Sequence, residues 1–580
     1  MEMELGGHAP DQARGGPSGF QSLDRRALVL TIIGLQLTLL LAALDNTIVG
    51  TAMPKIIAQL SGFDRYAWVT TAYLLTSTTA VPIFGKLSDM YGRKWFFLGG
   101  AALFVTASAL CGAAGDIPGL PGDGMTQLIV FRAIQGLASG IITGLTFTIV
   151  GDLFPPAERG KYQGLFSGVW GLASVFGPTL GGWITDNLSW RWCFYVNLPV
   201  GIAAMLVLYF SFPDIRPAAI RRQIDWSGVG TLIGCLVPLL LALTWVTDYG
   251  WTSTRVVSLL AVAVIMLGAF LLAESRAAEP ILPLSLFRSR LVVVSSISLF
   301  LTGMGMFGSI LFIPLFMQAV IGVSATQSGS LLTPLMLMLT AGSIVSGLLT
   351  SRTGRYKVLA LLGLAIMTGG MVLLARMDAG TTKWECVEYM MVVGIGLGLV
   401  MPLYTLIVQN AVPQQMMGVA TASTQFFRSI GGTVGSAVFG SIMLSQYRTY
   451  FDSHVPAQVA QAPNAGQILG AFKNPLQLSS IMGQLQQEFA KFPNGLQILT
   501  TLLDNVKESL VQSLSSVFLI GAVLVAISFV ANFFLPEIAL RKSFAAAEQT
   551  EAVTGAEGAY ATGKAASEQP IPAFSVEGDD

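Results

Sequence analysis

Fourteen stretches of mainly apolar residues punctuate the chain, each long enough to cross the ~30 Å hydrocarbon core of a bilayer as an α-helix of about 20 residues. They fall near residues 27–50, 66–86, 95–115, 126–150, 162–185, 192–212, 226–247, 255–273, 291–318, 327–350, 357–376, 386–410, 417–445 and 513–536. Inside a bilayer no water satisfies a bare backbone, so segments of this length must be helical. Composition agrees: 53% of the 580 residues are apolar and only 11% are charged, against about 25% in soluble domains. The predicted class is an all-α integral membrane protein.

An even number of spans puts both termini on one side, and Lys and Arg outside the spans identify that side as cytoplasmic. Twenty of these residues fall with the termini and ten on the other side, four of those ten in one long connection, 446–512. That connection is expected outside, with amphipathic stretches at Gln467 to Phe472 and Leu496 to Val511. It reads as a loosely structured insertion, a cap over the outer mouth, or a partner-binding element. Residues 1–26 form a cytoplasmic tail without signal-peptide character, and 541–580 an acidic, Ala- and Gly-rich tail expected to be disordered. The protein is expected in the plasma membrane, as a monomer. Net charge is zero, which offers nucleic acid no field. The four cysteines stand apart and the only histidines are His8 and His454, so no metal site, disulfide scaffold or cofactor is expected.

Ionisable groups at bilayer depth are costly and point to function. Asp45 lies late in the first span, which starts inside, and Arg132 early in the fourth, which starts outside, so both reach the outer third of the membrane. They read either as a static ion pair or as a proton carrier and the cation that tunes it. Gln135, three residues after Arg132, shares its face. Glu385 and Glu388 open the twelfth span, and Arg428 lies deep in the thirteenth without an identifiable partner. Glycine is arranged as well as abundant, with Gly136, Gly140 and Gly144 in the fourth span and Gly177 and Gly181 flanking Pro178 in the fifth. Small residues at this spacing let helices approach closely. The string GMGMFG at 303–308 matches a nucleotide signature by letter but follows no strand.

After the second span the chain reads Gly85-Lys-Leu-Ser-Asp89-Met-Tyr-Gly92-Arg93-Lys94, and a degenerate copy, Gly347 to Lys357 with Ser351 in place of Asp89, follows the tenth. This loop resembles the cytoplasmic signature of the major facilitator superfamily. Leu44-Asp45-Asn46-Thr47 through Pro54, Arg132-Ala-Ile-Gln135-Gly136, the glycine-proline run Gly171 to Gly182, Trp190 through Pro199, and Asp225-Trp-Ser-Gly228 resemble its fourteen-helix drug:proton antiporters, the EmrB/QacA-like group. The resemblance covers about residues 25–540. It implies the major facilitator fold: a six-helix bundle at 27–212, two inserted helices within 213–290, and a second bundle at 291–540. It further implies proton coupling at Asp45, Arg132 and Gln135, gating by Gly85, Asp89, Gly92, Arg93 and Lys94, and an antiport helix marked by Gly171, Gly177, Pro178, Gly181 and Gly182. The bundles would rock about a central cavity.

The expected function is proton-coupled multidrug efflux by alternating access, exporting lipophilic compounds that are neutral or singly charged, cations included. Glu388, Phe307, Met304, Gln425 and Arg428 are candidate cavity residues, Met and Phe being suited to adaptable contacts. A lipid or glycolipid exporter on the same fold is the alternative. No nucleophile, base and orienting group converge, so an enzyme is not expected.

Overall fold

The computed structural model describes residues 24–60, 66–117, 121–214, 224–323, 325–413, 416–456, 478–490 and 495–538, with isolated positions 459, 469 and 472. Every described regular element is helical. In order they are α1 (Arg25–Leu60), α2 (Tyr66–Tyr91), α3 (Arg93–Gly112), α4 (Gly124–Leu153), α5 (Pro156–Asn187), the single turn α6 (Trp192–Tyr195) and α7 (Asn197–Ser211). Then come α8 (Trp226–Tyr249), α9 (Thr254–Arg276), α10 (Arg290–Phe316), the short α11 (Ala325–Leu331), α12 (Thr333–Thr353), α13 (Tyr356–Ala375) and α14 (Lys383–Ala411). The last are α15 (Met417–Ser453), α16 (Leu478–Phe489) and α17 (Gly495–Phe533).

Helix starts follow local chemistry. The Asp123 side chain accepts from Thr126 N at 3.2 Å, Asp225 accepts from Gly228 N at 2.8 Å, and Thr382 and Glu385 form a reciprocal capping box. Between α2 and α3 the chain turns on Gly92 alone, whose φ of 101° suits only glycine.

The described helices cover all fourteen segments at which the sequence predicts a span, and eleven of them are long and apolar enough to cross a membrane. The remaining three, α2, α5 and α15, are rich in Gly, Ser and Thr. All three lie where the two halves of the molecule meet, α2 against α15 and α5 against α12.

α1 to α5 and α7 pack together, as do α10, α12 to α15 and α17. Within the first group Gly136 and Gly140 of α4 lie against the backbone of α2 at Tyr73 and Ser77. Between the two groups, α5 packs along α12 and α2 along α15. α8 and α9 form a hairpin laid outside the second seam, where α8 touches both α2 and α15. Trp68 meets Trp245 edge to face at 6.1 Å, and Trp251 donates to Ser441 Oγ at 2.8 Å. The outer face of α9 is bare hydrocarbon, Val264 being 68% exposed and Ile265 65%, which suits contact with lipid.

One boundary differs from expectation. The predicted loop 446–512 is helical at both ends, because α15 runs on to Ser453 and α17 begins at Gly495. The amphipathic stretch Leu496–Val511 is therefore the first part of the last long helix, while Gln467–Phe472 lies outside the described residues except at 469 and 472. Apolar content stops at the membrane surface, but a helix continues past it when a partner covers its face. Here that partner is a small aromatic core: Tyr447 stacks on Phe451, which stacks on Phe472, and Tyr447 Oη donates to Phe472 O at 2.6 Å.

Gly140→Leu forces α4 off α2 at Ser77 and Ala80, where Gly99→Leu, with nothing within 4 Å of its Cβ, meets open space. Overpacking costs about 1–3 kcal/mol or more. Thermal unfolding in detergent followed by size-exclusion chromatography should show a clear loss of stable protein for the first variant and near-wild-type behaviour for the second.

Candidate functional site

Asp45 and Arg132 meet inside the first group of helices. Arg132 Nη1 donates to Asp45 Oδ2 at 2.5 Å, and both side chains are almost fully buried. Asp45 Oδ1 accepts from Gln135 Nε2 at 2.9 Å and from Asn197 Nδ2 at 3.0 Å. Gln135 Oε1 accepts from Arg132 Nη1 at 2.8 Å, and Ser108 Oγ accepts from both Gln135 and Asn197, at 3.2 and 3.0 Å. The guanidinium lies 4.2 Å from the Tyr73 ring centroid. Four helices (α1, α3, α4 and α7) thus share one network around a carboxylate that accepts from three donors, with Ser108 of α3 holding two of them.

Asn197, Ser108 and Tyr73 were not singled out from sequence as members of this network. The one available signal was Asn197, a strong hydrogen-bonding group opening an otherwise apolar span.

A second cluster sits at the end of the bundle that carries most of the Lys and Arg, which the sequence expects to face the cytoplasm and which is called the inner end below. Asp89 accepts backbone N–H groups of Gly418 and Val419, at 3.1 and 2.9 Å, at the N-terminus of α15. A carboxylate there completes the unpaired donors of the first turn and meets the positive end of the helix dipole. Arg93 pairs with Asp89 and with Asp152, donating to the latter from Nε at 2.8 Å, and to Ser88 Oγ at 2.7 Å. Gly85 and Gly418 make room: a Cβ on Gly85 would lie 2.6 Å from that of Ala422, and one on Gly418 would strike the Asp89 carboxylate. Lys94 stands apart from this cluster, since it donates to Tyr209 O at 2.8 Å within its own half.

The degenerate copy lies at the other seam. Gly347 touches Gly160 backbone to backbone, and Gly164 faces Ser343 O. Ser351, the counterpart of Asp89, has a buried hydroxyl with no partner, as do Thr340 and Ser343 on the same helix. One seam is thus latched by charge, and the other is close-packed but poor in hydrogen bonds. Gln409 bridges the halves nearby, donating to Phe147 O at 3.1 Å and accepting from Gln163 at 2.8 Å. Sequence reasoning passed over Gln409, whose signal was an amide near the end of an apolar span.

The glycines of α5 serve two partners. Gly160, Gly164 and Gly171 face α12, whereas Gly177 and Gly181 face Thr47 and Thr51 of α1, and Thr47 Oγ1 donates to Ala173 O at 3.1 Å. Gly182 has no neighbour within 4 Å of a Cβ. The helix runs through position 178, and the Pro178 side chain lies outside the described residues.

Of the candidate cavity residues, four gather and one does not. Gly303 packs on the Arg428 carbonyl, Gly432 on the Phe307 ring and Gly435 on Met304, while Arg428 donates to Gln425 Oε1. Glu388 is exposed, one turn after a helix start capped by Glu385. Depth along the chain fixed its height and left its direction open.

A profile described as Major Facilitator Superfamily matches residues 35–436. The chain belongs to the major facilitator superfamily. It is 40% identical over 540 residues to the Multidrug transporter protein MdtP of Bacillus subtilis, covering 90% of this chain and 96% of that protein. It is 35% identical to Multidrug resistance protein 3 of the same organism, covering 87% and 94%. Among solved structures the human organic anion transporter MFSD10 aligns with a TM-score of 0.54 at 15% identity, over 86% of this chain and 99% of that one, a likeness of fold. The proton:xylose symporter XylE aligns at 0.55 and 12% identity, over 89% and 97%. Membership makes this chain a multi-pass membrane transporter rather than an enzyme.

Asp89→Asn weakens the latch on α15 by removing the charge that both Arg93 and the helix N-terminus hold. With the four native cysteines replaced, a cysteine introduced at Ser167, one turn beyond buried Gln163, should be alkylated from the inner side several-fold faster in Asp89→Asn than in its parent. Equal rates would show that Asp89 does not hold this end closed.

Proposed function

We propose that the protein is a proton-coupled antiporter that exports lipophilic compounds across the plasma membrane. In this reading all fourteen long segments cross the bilayer, both termini face the cytoplasm, and one chain is the working unit. The observation that carries it is the Asp45 network together with its position. Asp45 is sealed from solvent and tied to Arg132, and two residues later Thr47 presses on Gly177 of α5. The inner part of α5 forms the seam with α12. A change in the charge of Asp45 therefore reaches a helix that separates the two halves.

The cycle follows from that connection. With the inner end closed, Asp45 takes a proton from the outer side, its ion pair with Arg132 is lost, and substrate leaves outward. Loosening α1 against α4 and α7 releases the outer part of α5, and the halves rock along the glycine contacts of α5 with α12 and of α2 with α15. The proton then leaves to the inner side, the ion pair re-forms, and a new substrate binds. Asp89 and Arg93 latch the inner end during the outward-facing phase. Both Bacillus relatives carry multidrug names, which supports drug-like cargo.

Purified protein in liposomes tests this reading. Adding a lipophilic drug to wild type under an imposed pH gradient should move protons in the opposite sense to the drug, and Asp45→Asn should reduce coupled flux by at least about tenfold while eluting as folded protein. Uphill drug export persisting in Asp45→Asn would place the proton site elsewhere. Lipid movement between leaflets, without drug-coupled protons, would replace the drug antiporter with a lipid exporter.

A further inference from the structure

Arg428 differs from every other cation at comparable depth in the described structure. It lies eleven residues after Met417, the start of α15, so about 16 Å along that helix and near the middle of a ~30 Å core. Arg132 has Asp45, and at the inner end Arg93 has Asp89 and Asp152. Among the described residues Arg428 has no carboxylate within ion-pair distance, and its one hydrogen bond runs from Nη2 to Gln425 Oε1. Its Nε and Nη1 have no acceptor among the described residues, yet the residue retains accessible surface.

The position is rigidly set. α15 presses on α10 through Gly431 against Phe300, Gly432 against the Phe307 ring and Gly435 against Met304, and Gly303 of α10 closes on the Arg428 carbonyl. Gln425 continues the stripe of Gly418 and Ala422, which touches Asp89 and Gly85 of α2. Arg428 therefore stands between the stretch of α15 that touches α2 and the stretch that packs on α10, with the Phe307 ring against Gly432 one turn away. A guanidinium held at bilayer depth by a neutral amide is an incomplete pair, and its planar donors match a carboxylate or phosphate.

We propose that Arg428, oriented by Gln425, receives the anionic group of an amphiphilic substrate whose apolar body rests against Phe307. This deepens the efflux reading and rests on it: the cargo is a lipophilic anion or zwitterion, bearing a carboxylate or a phosphate, which narrows the neutral or singly charged compounds, cations included, expected from sequence. A soluble amphiphile and a lipid headgroup present the same chemistry, so the source is a matter for the test.

The test uses full-length protein in phosphatidylcholine nanodiscs and two probes sharing one fluorophore, 1-pyrenebutyrate and 1-pyrenebutanol, with binding read as energy transfer from tryptophan and empty discs subtracted. Wild type should bind the carboxylate at least about tenfold more tightly than the alcohol. Arg428→Gln should bring the two within about twofold while leaving alcohol binding unchanged, which also reports that the variant is folded; Arg428→Lys should keep part of the preference. Displacement of pyrenebutyrate by phosphatidic acid in the disc, in wild type only, would assign the site to a lipid phosphate, and displacement by octanoate alone to a soluble amphiphile. No preference in wild type, or a preference that survives in Arg428→Gln, overturns the proposal. Binding is measured without a gradient, so that failure leaves proton-driven export standing. Loss of export with the anion preference intact would count against the antiporter reading alone.

Discussion

The fold of the first half is organised around the cost of holding Asp45 and Arg132 away from water. Neither charge is tolerable alone at that depth, and a bare ion pair gains less than its desolvation costs unless further hydrogen bonds complete it. Gln135, Asn197 and Ser108 supply them, so four helices are fixed by one carboxylate. Removing any one member would leave a buried polar group without its partner, so the packing of these helices and the pairing of the two charges stand or fall together.

The two seams show how a repeated architecture becomes directional. Both rely on glycine to bring backbones together, but only the α2–α15 seam carries a carboxylate aimed at a helix N-terminus and a guanidinium shared between two acids. At α5–α12 the corresponding residue is Ser351, and several hydroxyls there are buried without partners. A buried hydroxyl left unmade costs about 1–3 kcal/mol. Separation and hydration of that face would recover part of this, whereas parting the α2–α15 seam would break the contacts of Asp89 with α15.

Much of this was legible in the sequence because the bilayer imposes a length and an apolarity on every span. The same arithmetic of depth brought Asp45 and Arg132 to one level, and the capping signals at Asp123, Asp225 and Thr382 marked where helices begin. What was not legible was direction around a helix axis. Glu388, expected to line a cavity, is exposed on its helix, and Lys94 belongs to its own half although its neighbours Asp89 and Arg93 join the two halves. Ser108, Tyr73 and Gln409 are ordinary residues until the fold puts them beside a charge. α2, α5 and α15 are less apolar than the eleven other long segments, and the small and polar residues that make them so include those that meet another helix.

The α8–α9 hairpin makes the two flanks of the molecule unequal to anything dissolved in the bilayer. It lies across α2 and α15 and is pinned at one end by Lys86 to Glu279 at 2.7 Å and at the other by Trp251 to Ser441. A hydrophobic molecule within the membrane meets two further helices on that flank, whereas among the described residues no such hairpin lies over the α5–α12 flank. The near-symmetry of the two bundles is thereby broken toward the lipid, which faces an added wall on one flank and the seam helices themselves on the other.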